Sequence, residues 1–305
     1  MRNNSIITSV VTVYQVRAIN TQVKYFSFAV LVSSLLMLNA CKKVLDQKPE
    51  TSIDEDAAIT NKKGAEAAVA GLYNELQHGN YYGRNYQIIS DVSSDIAQSV
   101  GTWDFYREMD TYVVTGGNTE NYNFWYRAYR AVNQANNIIA YVPLIANAVE
   151  ADKNKYLGQA YFVRGLAYFD LTRLYGGVPG VIGTMGVPIV TTPSVKIDET
   201  AFPSRPTLQA SYDQVEKDLL KALDLLPETF GDNRSQAVKG TARALLSRFY
   251  QYVNKPAEVI SYATQVINDT KYALSPVFSN IFDGKLNAES IFELNFTASV
   301  MSIID

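Results

Sequence analysis

One aperiodic stretch of the chain, residues 79–117, gathers the side chains that sugar binding requires. A pyranose ring offers a C–H face that packs on an aromatic ring, and hydroxyl groups that hydrogen-bond to planar polar side chains. Trp103 is the strongest candidate because it lies between Gly101 and Asp104, in sequence without an apolar period. The alternative is that Trp103 packs this loop onto neighbouring helices. The predicted ligand-binding set is Trp103, Arg84, Asn85, Asp104 and Tyr82.

Residues for covalent or metal chemistry are scarce. The chain has one His and one Cys, which leaves no ordinary zinc site and no histidine-based relay. Asp91 and Asp95 are four residues apart and could act as a glycosidase-like carboxylate pair, but a solvated pair or a helix cap is the commoner role. We therefore predict no catalytic residue, no metal site and no cofactor.

The charge balance argues against nucleic acid as a ligand. The formal net charge is -3 and the isoelectric point is near 5.4, without a Lys/Arg-rich stripe in the part after residue 40. Aromatic residues are abundant, with 21 Tyr and 13 Phe, and most of them are expected to fill a core. Composition therefore indicates a globular protein that binds neither DNA nor RNA.

The single cysteine, Cys41, follows an apolar run at residues 25–38 and the sequence Leu-Asn-Ala. The run has the length of a signal-peptide core and is shorter than the roughly 20 residues of a membrane-spanning helix. The segment resembles a lipobox, in which the Cys becomes lipidated. We predict a lipoprotein signal peptide at 1–40 and a polar tether at 41–58. The alternative is an ordinary buried or membrane-embedded Cys after a hydrophobic helix.

Apolar residues recur at helical spacing through most of the remaining chain, so the predicted fold is mostly α. Antiparallel helix pairs of this length build tetratricopeptide-type (TPR-like) solenoids, although no regular repeat is visible. Residues 79–117 are predicted to be irregular, and 291–296 alternate as a half-buried strand would. The predicted units are a helical domain at 59–270 and the start of a truncated mixed region at 271–305. The predicted helices are 60–77, 125–139, 160–174, 208–226, 242–253 and 260–267.

Several sequence blocks, in order, resemble the opening of SusD/RagB proteins. The most specific is AYFVRGLAYFDL at 160–171, which leads into LYGGVP at 174–179. Because the blocks extend over most of the chain after Cys41, the resemblance is specific. The others are KKVLD at 42–46, FWY at 124–126, ANNII at 135–139, PSR at 203–205, KGTARALL at 239–246 and ESIFE at 289–293.

The resemblance implies a lipid-anchored protein at the outer-membrane surface of a Gram-negative bacterium, facing the outside of the cell. It further implies that the protein captures oligosaccharides or other nutrients and passes them to a SusC-like TonB-dependent barrel. Two departures accompany it. Family members usually continue beyond this length, so the chain is expected to be an N-terminal part. Lys42 and Lys43 replace the acidic residues that often follow the lipidated Cys, which leaves the outward orientation open.

Two other classes of function compete with nutrient binding. The first is a lipid-anchored TPR-like adaptor that binds proteins or peptides. The second is a lipoprotein enzyme acting on polysaccharide, which the shortage of His and Cys disfavours. The family resemblance favours the nutrient-binding protein over both.

Overall fold

A computed structural model describes residues 58–194, 203–231, 233–282 and 287–296. The predicted signal peptide, Cys41 and nearly all of the tether lie outside these residues. The described part is mostly α-helical and contains no strand, which confirms the predicted fold class. Its α-helices are α1 (Lys62–Gln77), α2 (Asn85–Val92), α3 (Asp104–Asp110), α4 (Thr119–Tyr141), α5 (Glu150–Leu171), α6 (Leu208–Leu225), α7 (Lys239–Tyr252) and α8 (Pro256–Ile267).

Helix α5 lies at the centre of the core. From Gly158 to Leu171 all its residues except Tyr161 are buried, because α4, α6, α1 and α7 all pack against it. A helix that is apolar on nearly every side is stable only where neighbours enclose it. The other long helices have the one-sided apolar stripe that the sequence predicts, and each buries that stripe toward this core.

Side-chain caps set the starts of three helices. Asn61, Asn118 and Thr207 each accept a hydrogen bond from a backbone N–H three residues on, at 3.0, 3.0 and 3.2 Å. The cap at Thr207 confirms the predicted start of α6. Helices α7 and α8 form the predicted hairpin around Asn254 and Pro256, with Pro256 as the first residue of α8.

A buried ion pair joins α5 to α6. Arg164 donates to both carboxylate oxygens of Asp218 at 2.8 and 2.7 Å, and to the Asn136 side chain of α4 at 2.8 Å. The side chain of Arg164 thus links the three central helices, through the bidentate contact to Asp218 and the separate bond to Asn136.

Two predictions of local structure are wrong. Residues 79–117 are not irregular throughout, because they contain α2, which buries Ile89 and Val92, and α3, which buries Met109. Residues 291–296 form no strand, although Phe292 and Leu294 pack on the core as the alternation requires. The Glu293 backbone N–H donates to the Arg234 carbonyl oxygen at 3.0 Å, in a loop contact and not in a ladder between strands.

Candidate functional site

The N-terminal end of α3 presents an aromatic ring to solvent. Trp103 precedes the helix in extended backbone and is 62% exposed. Its indole contacts the ring of Phe105 edge to face, with centroids 5.1 Å apart. Asp104, the first helical residue, forms an exposed ion pair with Arg107 one turn later. This surface offers a stacking face next to charged groups that can hydrogen-bond to hydroxyls.

A buried polar cluster connects α3 to α2 and α4. Asn85 begins α2, and its amide donates to Glu120, which lies in the first turn of α4. Arg84 donates to Asn85 at 3.0 Å and forms an ion pair with Glu120 at 3.4 Å. The Tyr106 hydroxyl donates to Asn85 at 3.4 Å, and the Phe105 and Tyr106 ring centroids are 4.7 Å apart. The contacts thus run from Trp103 through two rings to the cluster.

The loop after α3 is held against the same helix. Glu108 accepts hydrogen bonds from the Thr115 backbone at 3.1 Å, the Thr115 hydroxyl at 3.0 Å and the Asn118 amide at 3.0 Å. The bond from Asn118, followed by the one from the Thr115 backbone, lowers the pKa of the Glu108 carboxyl. Asn118 also donates to the Phe105 carbonyl oxygen at 2.9 Å. Helix α3 is therefore tied to α4 by hydrogen bonds from the cap residue of α4.

A second polar cluster forms around the carboxylate of Asp170 in α5. The hydroxyls of Tyr81, Tyr82 and Tyr86 donate to it at 2.8, 2.8 and 3.0 Å, and Arg173 pairs with it at 2.5 Å. Burial, and after it the Asp170 charge, raise the pKa of Tyr81 and Tyr82 well above the ordinary tyrosine value. These contacts hold the turn that leads from α1 into α2.

Some residues of the predicted ligand-binding set are exposed and others are buried. Trp103 and Asp104 are exposed, whereas Arg84 is partly buried in the first polar cluster and Tyr82 belongs to the second. Direct ligand contact by Asn85 does not fit its position, because its exposed fraction is 0% and its amide already bonds to Glu120. Asn85 instead positions Arg84, Tyr106 and Glu120.

Glu120 and Tyr112 are not among the residues predicted from the sequence. Glu120 lies beside the α4 cap in the chain, and only the fold brings it to Asn85. Tyr112 begins the run Tyr-Val-Val. The side chains of this run are exposed, and the sequence has no periodicity that would predict their exposure. The predicted residue Tyr82 also lines a cavity of about 620 Å³, together with Phe162, Arg248 and Phe292.

The described residues contain neither a cluster of metal ligands nor a membrane-spanning helix. Within them, no group of three or more His, Cys, Asp or Glu side chains could hold a metal ion. None of the helices described is long and apolar enough to cross a membrane.

Comparison with known proteins identifies the family of this chain. Residues 43–251 match the model of a SusD-like family described as starch-binding and associating with the outer membrane. The chain belongs to the SusD-like family. The description of the family, as starch-binding and associating with the outer membrane, agrees with the binding class of function that the sequence predicts.

Individual SusD-like relatives agree with this assignment. The SusD-like protein P2 of Formosa agariphila is 26% identical over 276 residues, which cover 88% of this chain and 52% of that protein. A SusD superfamily structure from Bacteroides thetaiotaomicron is 29% identical with a TM-score of 0.67, covering 78% of this chain and 54% of that one. The chain spans about half the length of the curated relatives it matches.

A more distant structure shares the fold alone. Surface glycan-binding protein A from Bacteroides thetaiotaomicron, solved with laminarihexaose, is 20% identical with a TM-score of 0.64. The match covers 78% of this chain and 50% of that protein.

Proposed function

We propose that this SusD-like chain binds oligosaccharides on the exposed face of α3, with Trp103 as the stacking residue and Asp104 as a hydroxyl partner. The observation that carries the proposal is the exposure of Trp103, at 62%, in a segment that hydrogen bonds hold in place. Burying a tryptophan ring is favourable, so an exposed one on an ordered surface is available for a ligand. Arg84, Asn85 and Glu120 support α3 from beneath.

A glycan-array screen followed by calorimetry tests the site. Replacement Trp103→Ala should weaken binding of the best glycan by about 1 to 3 kcal/mol, from the cost of a significant contact residue to that of a modest hot spot. The melting temperature should change little because the ring is exposed. Unchanged affinity of the Trp103→Ala variant would refute the site.

Trp125→Ala is the matched control. Trp125 is half-buried in α4, where its ring lies 4.8 Å from the rings of both Tyr129 and Tyr175. Its removal should cost about 3 kcal/mol of stability, the lower end for a buried tryptophan, because it is not fully enclosed. The folded Trp125→Ala variant should keep its glycan affinity.

At the level of the cell, we propose lipid anchoring through Cys41 and delivery of the glycan to a SusC-like TonB-dependent barrel. The apolar run before Cys41 supports the anchor, and the family supports the outer-membrane site. Metabolic labelling with a fatty acid should mark the protein, and Cys41→Ala should abolish the label and the membrane fractionation. Label that persists on the Ala variant would exclude this anchor.

A protein-interaction adaptor is the second candidate. Ile96, Val100 and Val113 are exposed apolar side chains on the segments that flank α3, and such side chains also suit a protein partner. The double variant Val100→Ser/Val113→Ser separates the two functions. If the α3 face is a sugar site, the double variant should retain glycan binding. If the protein is an adaptor, the double variant should no longer capture its partner in pull-downs from the cell envelope.

A further inference from the structure

Negative charge is concentrated in the segment that carries the proposed glycan site. Residues 79–121 contain six Asp or Glu and two Arg, without any Lys, so their formal charge is -4. The whole chain has a formal charge of -3, so the remaining residues are close to neutral. The net negative charge of the protein therefore comes from this segment, which includes α2, α3 and the start of α4.

Both arginines of the segment already face a carboxylate of the protein. Arg84 forms an ion pair with Glu120 at 3.4 Å, and Arg107 forms one with Asp104. An anionic ligand would have to displace one of these carboxylates to pair with a guanidinium. The segment therefore offers a ligand no unpaired cation.

The other carboxylates of the segment are not balanced by a cation. Among the residues that the structure describes, no Lys, Arg or His lies within ion-pair distance of Asp91, Asp95, Glu108 or Asp110. Glu108 accepts hydrogen bonds from Thr115 and Asn118. Asp110 accepts one from the Ser99 backbone at 3.1 Å. These donors are uncharged, so they hold the two α3 carboxylates in place and leave their charge uncompensated.

Glu108 and Asp110 lie within a short distance of Trp103, which immediately precedes α3. The helix has seven residues, so its two ends are roughly 9 Å apart at the standard rise. The bond from Ser99 to Asp110 also returns the loop that leads to Trp103 to the far end of this helix. The ionic screening length is about 8 Å at physiological salt, so a negative charge bound beside Trp103 is repelled by both carboxylates. Because a Coulomb force acts in every direction, neither side chain has to contact the ligand.

We propose that Glu108 and Asp110 are specificity-determining residues of the glycan site, which binds neutral oligosaccharides and rejects those that carry uronic acid or sulfate groups. The inference rests on the proposed function and deepens it by naming the class of glycan. The hydroxyl groups of a neutral hexose carry no net charge, so the two carboxylates do not repel it. A uronate brings its own carboxylate close to two fixed negative charges.

Calorimetry with matched glycans tests this selection by charge. The neutral probes are maltohexaose and laminarihexaose, and the anionic probes are the same glycans after oxidation of their C6 hydroxyls to carboxylates. Methyl esters of the oxidised glycans are the reference, because they keep the shape and lose the charge. In about 0.01 M salt, the wild type should bind the oxidised glycan about tenfold more weakly than its methyl ester. In about 1 M salt, where the screening length is about 3 Å, this ratio should fall below about two.

The double variant Glu108→Gln/Asp110→Asn removes both charges and keeps oxygen atoms that can accept the same hydrogen bonds. At low salt it should lower the affinity ratio of methyl ester to oxidised glycan from about ten to about two, and Asp110→Asn alone should lower it to about four. Asp213→Asn/Asp224→Asn is the matched control. It makes the same change in net charge at two exposed positions of α6, whereas α3 packs against α2 and α4. This control should keep the wild-type ratio.

The possible results separate this inference from the function on which it rests. Wild-type protein that binds neither neutral hexasaccharide would overturn the proposed function and this inference together. A wild type that binds the oxidised glycan as tightly as its methyl ester would overturn this inference alone. So would a ratio that the α3 double variant leaves unchanged, or one that the α6 control lowers to the same extent.

Discussion

The buried contact between Arg164 and Asp218 gives the sharpest stability prediction. Both side chains are almost fully enclosed, and the guanidinium also donates to Asn136. Replacement Arg164→Met preserves much of the apolar stem and removes the charge and its hydrogen bonds. The Asp218 carboxylate is then left buried without its cation, and the Asn136 oxygen loses a donor.

The magnitude follows from these losses. Breaking a buried ion pair by removing one partner costs about 3 to 5 kcal/mol, mostly because the remaining charge is desolvated and uncompensated. For a domain of this size each kcal/mol lowers the melting temperature by roughly 2 to 4 °C. Arg164→Met should therefore lower it by roughly 6 to 20 °C. The double variant Arg164→Met/Asp218→Leu removes both charges and should be more stable than either single variant.

Urea unfolding followed by circular dichroism measures all three variants. Lys221→Met provides the control, because Lys221 pairs with Asp224 at 2.8 Å on the exposed side of the same helix as Asp218. An exposed pair is screened by water, so this variant should unfold close to wild type. If the double variant were as unstable as the sum of the two singles, the argument from an uncompensated buried charge would be refuted.

Two further predictions concern the buried tyrosines. Asp170→Asn should lower the free energy of unfolding by about 3 to 5 kcal/mol, because Arg173 loses its anion, and urea unfolding measures this loss. The same variant should lower the pKa of Tyr81 and Tyr82, because the Asp170 charge contributes to raising both. A spectroscopic tyrosine titration measures this second effect. Stability should also fall as the pH rises above about 10, because burial raises the pKa of Tyr81 well above its usual range and that of Tyr212 to about 12. There the unfolded state loses tyrosine protons that the folded state retains, so each such tyrosine removes about 1.4 kcal/mol per pH unit until it ionises in the folded state. A constant free energy of unfolding from pH 9 to 12 would contradict this.

The long helices could be predicted from sequence because each repeats its apolar spacing over several turns. Helices α2 and α3 could not, since eight and seven residues complete only about two turns, too few for a helical period to stand out. The strand predicted at 291–296 failed for a different reason. Alternation of Phe292 and Leu294 correctly indicates which side chains pack inward, but a strand also requires a partner backbone, which sequence alternation does not supply.

The candidate site was predictable only in part. The exposure of Trp103 and Asp104 could be predicted, because the surrounding sequence has no apolar period that would bury them. The burial of Asn85 depends on Glu120, which is 35 residues away in the chain, so it follows from the fold and not from local sequence. The left-handed backbone conformation of Tyr112, with a φ of 57°, could not be predicted from the sequence. Its neighbours, Val113 and Val114, favour extended backbone and do not indicate the end of a helix.

The residues that make the family recognisable differ in role from those that would select a ligand. Arg164 and Asp170 belong to the most specific sequence block, and both are buried in α5, where they bind Asp218 and the tyrosine cluster. Replacing them disturbs the core, as the first prediction quantifies. Trp103 and Tyr112 lie outside that block, in the exposed segments that flank α3, where substitution should cost little stability. A scaffold of this kind can therefore keep its fold while the α3 face changes. If the proposed site is correct, the glycan bound by one SusD-like protein does not identify the glycan bound by another.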